Sequence, residues 1–204
     1  MAALRTLLVL GLLLAARGQR AMQRRRPPPP QSALEKVVAQ EGLSLPQLSG
    51  KWFLVGIASR CSYLAKHSHQ LEATTVTMTV LDGQSLAIST FRKLDRMCWE
   101  IRQHYLPAQA PGRFLLKGPR KSSRVDMVVG EAHPSSFIIL YYQKGHSISV
   151  KLYGRTSLVS DAVMDKFEQH VRAVGLSEDV TYYFPTYGFC DSADEFHVLD
   201  ETKP

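Results

Sequence analysis

Eight short runs of alternating or wholly apolar residues follow one another between positions 52 and 153, each closed by turn-forming residues. They cover 52–59, 73–80, 85–92, 98–105, 112–117, 124–130, 136–142 and 147–153. A two-residue period with turns at this spacing is the mark of an antiparallel meander, in which neighbours in sequence are neighbours in the sheet. Leu81-Asp82-Gly83 and Lys144-Gly145 supply tight hairpin turns, because glycine adopts the positive φ such turns need at little cost.

The period changes after the eighth run. From Ser160 the apolar residues Val163, Met164, Phe167, Val171 and Val174 keep helical spacing, with Ser160 placed to cap the start, Asp161 in the first turn and Gly175 placed to end the helix. One helix covers only one side of a sheet, and a long meander removes its exposed edges by closing on itself. The expected fold is therefore all-β: an eight-stranded antiparallel up-and-down β-barrel with one C-terminal α-helix packed on the outside. Its interior is a cup. Trp52 and Leu54 share one face of the first strand, while Phe53, Val55 and Ile57 share the other, so something must cover the outside of that strand. On the last strand Ile148, Val150 and Leu152 oppose Ser149, Lys151 and Tyr153, and the helix is the natural cover for the apolar outer row. On the fourth, Trp99, Ile101 and Tyr105 are assigned to the inside, opposite Glu100, Arg102 and His104.

The chain begins as a secretion signal does: Arg5, an apolar run from Leu7 to Leu14, and small residues Ala16 and Gly18 before Gln19. Residues 1–18 are read as a signal peptide, 19–44 as a basic, proline-rich arm and 45–204 as the folded domain. No later run approaches the roughly 20 apolar residues of a transmembrane helix, so the mature chain is expected to be extracellular. The chain contains no asparagine, which excludes N-glycosylation. Six basic residues and no acidic ones fall in the first 30 positions, which leaves 19 basic against 18 acidic groups in the remainder. The folded part is thus close to neutral, and nucleic-acid binding loses its main support. The Arg24-Arg25-Arg26 run followed by Pro27 to Pro30 reads as an extended, solvated tail.

Three cysteines, Cys61, Cys98 and Cys190, cannot all pair with one another in an oxidising compartment. One is left to bond a different molecule, and three pairings are open.

Gly50-Lys51-Trp52 at the start of the first strand, and Arg155 just after the last in Leu152-Tyr153-Gly154-Arg155, resemble the two outer signatures of the lipocalin family. In a closed barrel these strand ends meet, and a guanidinium stacked on the indole face is worth about 0.5 to 2 kcal/mol. Where lipocalins commonly place Thr-Asp-Tyr, before the seventh strand, this chain reads Glu131-Ala132-His133-Pro134-Ser135-Ser136; Pro134 can hold a turn, but the hydrogen bonds of the aspartate are missing. Four further stretches are similar to one secreted member in particular, a subunit of a terminal complement component. They are the runs from Ser89 to Asp95, from Gly112 to Leu116 and from Ser149 to Tyr153, and the tail from Tyr187 through Glu201.

The resemblance implies a disulfide between Cys98 and Cys190 and leaves Cys61 to bridge to a larger chain of that component, and through it to join the membrane attack complex. Cys61 follows the first strand, at the open end of the barrel, near Arg60, Lys66, His67 and His69. Gly50, Trp52 and Arg155 would form the closed end. The cup is expected to be lined by Trp52, Leu54, Met78, Trp99, Ile101, Tyr105, Phe114, Met127 and Tyr153, with Tyr105 and Tyr153 narrowing the passage while their hydroxyls stay near water. It would dock a segment of the partner or a small hydrophobic ligand.

Three functions compete: a non-enzymatic subunit of a lytic assembly, a free carrier of a small apolar ligand, and an enzyme using the thiol. The loop position of Cys61, with no base or orienting acid to assign, argues against the third. His67 and His69 lack a third metal ligand at suitable spacing. No cofactor is implied.

Overall fold

The computed structural model describes residues 32–118 and 123–199. The expected signal peptide, the Arg/Pro run and the last five residues lie outside the described residues.

Eight antiparallel strands form the barrel: β1 (Gly50–Ser59), β2 (Thr75–Leu81), β3 (Ser85–Leu94), β4 (Met97–Pro107), β5 (Arg113–Leu116), β6 (Val125–His133), β7 (Phe137–Lys144) and β8 (Ser147–Gly154). Each pairs with its neighbour in sequence, and β1 pairs with β8, which closes the ring. The weakest seam is between β4 and β5, paired only at Leu106–Leu115 and Pro107–Phe114. Two short strands follow the barrel in sequence: β9 (Thr181–Tyr183) adds antiparallel to β1, and β10 (Glu195–Val198) adds parallel to β4.

Alternation divides the apolar residues into two cores. The inner one contains Trp52, Leu54, Val76, Met78, Leu86, Ile88, Phe114, Met127, Leu140 and Tyr153. The outer one joins Phe137, Ile139, Tyr141, Val150 and Leu152 of β7 and β8 to Val163, Phe167 and Val171 of the helix α2 (Asp161–Ala173). A bulge between Leu54 and Gly56 resets the register of β1, so that Ile57, expected on the outer face with Phe53 and Val55, is in step with the inward Leu54 instead. Gly56 leaves room for the helix and for β9: a Cβ there would sit 3.2 Å from the rings of both Phe167 and Tyr183.

The helix ends as its sequence predicts, on Gly175 at φ 75°. Its start differs. The Ser160 side chain makes no capping bond; its backbone carbonyl instead accepts from the N–H groups of Val163 and Met164, at 3.0 and 3.1 Å. The β2–β3 turn uses Asp82 and Gly83, both at positive φ. The β3–β4 turn makes the same excursion with Asp95 (φ 51°) and Arg96 (φ 67°), without glycine.

Residues from Ser32 onward lie against the barrel wall. Ser32 caps a one-turn 3-10 helix, Ala33–Lys36, whose Leu34 is buried in the outer core. Arg113 donates to the carbonyls of Leu34 and Val37, and the Gln40 N–H donates to the Val129 carbonyl. A cleft of about 1000 Å³ lies where this segment meets β5 and β6.

Candidate functional site

The closed end is built on one arginine. Trp52 is fully buried, its Nε1–H donating to the Leu48 carbonyl at 2.8 Å. The Arg155 guanidinium carbon lies 3.7 Å from the centroid of the Trp52 ring. Around its rim the guanidinium donates to three carbonyls: Nε to Pro134 at 2.7 Å, Nη1 to Lys51 at 3.1 Å and Nη2 to Gln47 at 2.9 Å. Gly50, at φ 104°, leaves room for it, since a Cβ there would stand 3.2 Å from Arg155 Nη1. Burial lowers the Arg155 pKa from its ordinary value. The turn that lacks an aspartate is held by the same residue, because the Arg155 N–H donates to the Ser136 carbonyl at 2.8 Å while Ser136 donates to His133. Gln47, Leu48 and Pro134 contribute only backbone carbonyls, which leave no trace in side-chain identity.

The lower cup is densely filled. Trp52, Met78, Tyr105, Phe114, Met127 and Tyr153 are all buried in one cluster, with Leu54 at its edge. Trp99 and Ile101 share the inner face of β4 with Tyr105 but are half-buried and stand outside that cluster. The tyrosines differ from expectation. Tyr105 pairs with Leu86, and Tyr153 with Leu54 and Ile138, toward the closed end; each is 2% exposed, so neither hydroxyl stays near water. Burial raises the Tyr105 pKa well above its ordinary value. A third ring completes the group: Tyr142 lies 6.1 Å from Tyr105, edge to face, and its burial pushes its pKa well above the ordinary value. Its parity with Ile138 and Leu140 on the seventh run is the signal that would have found it.

The mouth carries the free thiol. Cys61 is exposed and unpaired, between β1 and the short helix α1 (Ser62–His67). Its N–H donates to Ser59 Oγ at 3.3 Å and its carbonyl accepts from Ala65 at 3.2 Å, so the backbone is fixed while the side chain is free. Of the neighbouring basic groups, Arg60 is turned to the Gly175 carbonyl at 2.8 Å, and the His67 ring stacks on Tyr63 at 4.3 Å between centroids. Cys98 and Cys190 form a disulfide that joins positions 92 residues apart. Asp194 fastens the same junction: its side chain accepts from the Cys98 N–H and its own N–H donates to the Cys98 carbonyl, both at 2.7 Å. The β10 strand then follows beside β4.

Comparison with known proteins agrees with this architecture. The model of the lipocalin / cytosolic fatty-acid binding protein family matches residues 49–187. The chain is 41% identical to the complement component C8 gamma chain of Oryctolagus cuniculus, over 84% of this chain and 85% of that one. It is 32% identical to a protein of Rhinella marina described as a lipocalin, over 72% of this chain and 82% of the other. Among solved structures, the siderocalin Ex-FABP superposes with a TM-score of 0.61 at 15% identity, covering 72% of this chain and 96% of that one, a likeness of fold.

Proposed function

The chain belongs to the lipocalin / cytosolic fatty-acid binding protein family, and from that we propose that it is a secreted, non-enzymatic subunit of the eighth complement component. Cys61 links it to the alpha chain of that component. Through the alpha chain it meets the beta chain and the other terminal complement proteins and enters the membrane attack complex. The observation that carries this reading is the exposed, unpaired Cys61 at the mouth of a barrel whose other two cysteines are joined, in a chain 41% identical to a complement C8 gamma chain. An exposed thiol in an oxidising compartment is committed to exchange or to an intermolecular bridge. Secretion rests on the leader at 1–18, with the arm at 19–44 and the barrel domain at 45–204 in the mature protein. No described helix is long and apolar enough to cross a membrane.

The half-buried Trp99 and Ile101 on the inner face favour use of the upper cup as a dock, for an alpha-chain segment or a small apolar ligand. A free carrier is the alternative function.

Electrophoresis of the native plasma protein with and without reductant separates the readings. A covalent heterodimer that reduction splits, and that Cys61→Ser abolishes without lowering the melting temperature, is the expected result. A free monomer under non-reducing conditions, or peptide mapping that finds Cys61 bridged within the chain, would overturn it.

A further inference from the structure

The sheet ends on an open, apolar edge. β10 stands at one end of the sheet order and, among the described strands, pairs only with β4, in parallel, from Glu195 beside Trp99 to Val198 beside Arg102. All four of its residues are exposed, Phe196 at 65% and Val198 at 48%. The unpaired N–H and C=O groups of such an edge are a template for another chain.

Which groups are unpaired follows from the bonds to β4. Cys98 turns both of its backbone groups toward the tail, its N–H donating to Asp194 Oδ2 and its carbonyl accepting from the Asp194 N–H, and the Arg102 carbonyl accepts from the Leu199 N–H at 3.0 Å. Backbone groups alternate sides along a strand, so Cys98, Glu100 and Arg102 serve the ladder from β4, and at this parallel register Glu195, His197 and Leu199 serve it from the tail. Phe196 and Val198 therefore direct their N–H and C=O groups to the outer edge. Their side chains share the outer face with Arg102, whose guanidinium carbon lies 5.2 Å from the centroid of the Phe196 ring. Edge and apolar surface coincide.

Acidic residues bracket the strand in sequence: Asp191, Asp194 and Glu195 on one side, Asp200 and Glu201 on the other. A second copy of this chain paired along the edge would bring the same acids together, and like charges facing across strands are unfavourable. A strand with basic ends would be drawn in.

We propose that the outer edge of β10 docks an extended segment of another protein, β-branched or apolar along its middle and flanked by lysine or arginine. The segment adds as a further strand: its main chain exchanges hydrogen bonds with Phe196 and Val198, its side chains cover theirs, and its basic ends meet the acids. The contact does not involve Cys61 and is additional to the covalent linkage.

Amide hydrogen exchange of the full chain, read residue by residue by NMR, tests this with two synthetic peptides of alternating valine and threonine, one with lysines at both ends and one with glutamates. The lysine peptide should slow exchange of the Phe196 and Val198 amides roughly tenfold or more, and the glutamate peptide should not. Val198→Pro removes an outward N–H and no bond to β4, a substitution that edge strands tolerate, so it should abolish the protection of Phe196 without lowering the melting temperature. No protection by the lysine peptide would overturn the docking edge, and equal protection by both peptides would overturn the basic partner. Protection in the free chain that grows with its own concentration would assign the edge to a second copy instead. Undiminished protection in Val198→Pro would show that the peptide does not pair with β10; should that variant disturb the strand, the two peptides on the native chain decide alone.

Discussion

Arg155 acts less as a surface charge than as a clamp, closing the barrel over Trp52 while collecting the carbonyls of Gln47, Lys51 and Pro134. Removing the indole opens a cavity in a filled core, so Trp52→Ala should cost about 3 to 5 kcal/mol. Arg155→Ala should cost less than that, through lost stacking and unpaired carbonyls. The two losses should not add, because each variant already destroys the shared contact. Urea unfolding of the two single variants and the double variant measures this, and strict additivity would show that the pair is not coupled. The pair was legible in the sequence because Gly50-Lys51-Trp52 and Arg155 stand at the two ends of one closed pattern. The tyrosines were only half legible: parity put Tyr105 and Tyr153 inside, but depth along the barrel depends on pairing, and Leu86 and Leu54 set them near the floor.

At the scale of the element, α2 is held to the barrel by a polar chain as well as by its apolar face. Tyr141 Oη and His170 Nδ1 share a hydrogen bond of 2.6 Å, and His170 Nε2 meets Glu131 Oε2 at 2.9 Å. Glu131 also accepts from Lys166 Nζ at 2.5 Å. Gly130 makes the arrangement possible, since a Cβ there would collide with the Tyr141 ring. Burial pushes the Glu131 pKa up, but the hydrogen bonds and positive charges of Lys166 and His170 outweigh it and hold the carboxyl below its ordinary value. The folded value therefore lies below the unfolded one, near about 4.3. The stabilisation is fully present above that unfolded value and is lost as pH falls through the folded one. The gap in unfolding free energy between the native chain and Glu131→Gln should hold steady from about pH 7 to about pH 5, then shrink toward about pH 3. A gap unchanged across that range would contradict the assignment. The helix itself was plain from Val163, Phe167 and Val171, but its polar chain was not, because Glu131 faces it only through a bulge that the run 124–130 does not announce. The short β9 and β10 were missed for a related reason: three or four residues are too few to display a period, and their order comes from the strands they join.

Across the whole molecule, the Cys98–Cys190 bond ties the middle of the chain to its end and brings β10 beside β4, along the edge where β4 runs free of β5. Closing a loop of 92 residues restricts the unfolded chain by about 4 to 5 kcal/mol, an upper figure in the chain-entropy account. Replacing Cys98 and Cys190 together by serine should lower the melting temperature by several degrees, whereas Cys61→Ser should not move it. Calorimetry of the two variants decides, and equal melting temperatures would remove the disulfide from the account of stability. The barrel as a whole was the most legible feature, because eight alternating runs from 52 to 153 admit few other closures.

The position of Cys61 has a consequence for the timing of events. The thiol stands at the lip of the vessel, at the end away from the Arg155 clamp, so a partner bonded there is fastened beside the entrance. It would serve as a stopper. Were such a bond to form, anything the lumen is to hold would have to arrive before it or slip past the partner afterwards, and the contents of the assembled protein would be a record of what the free chain met first.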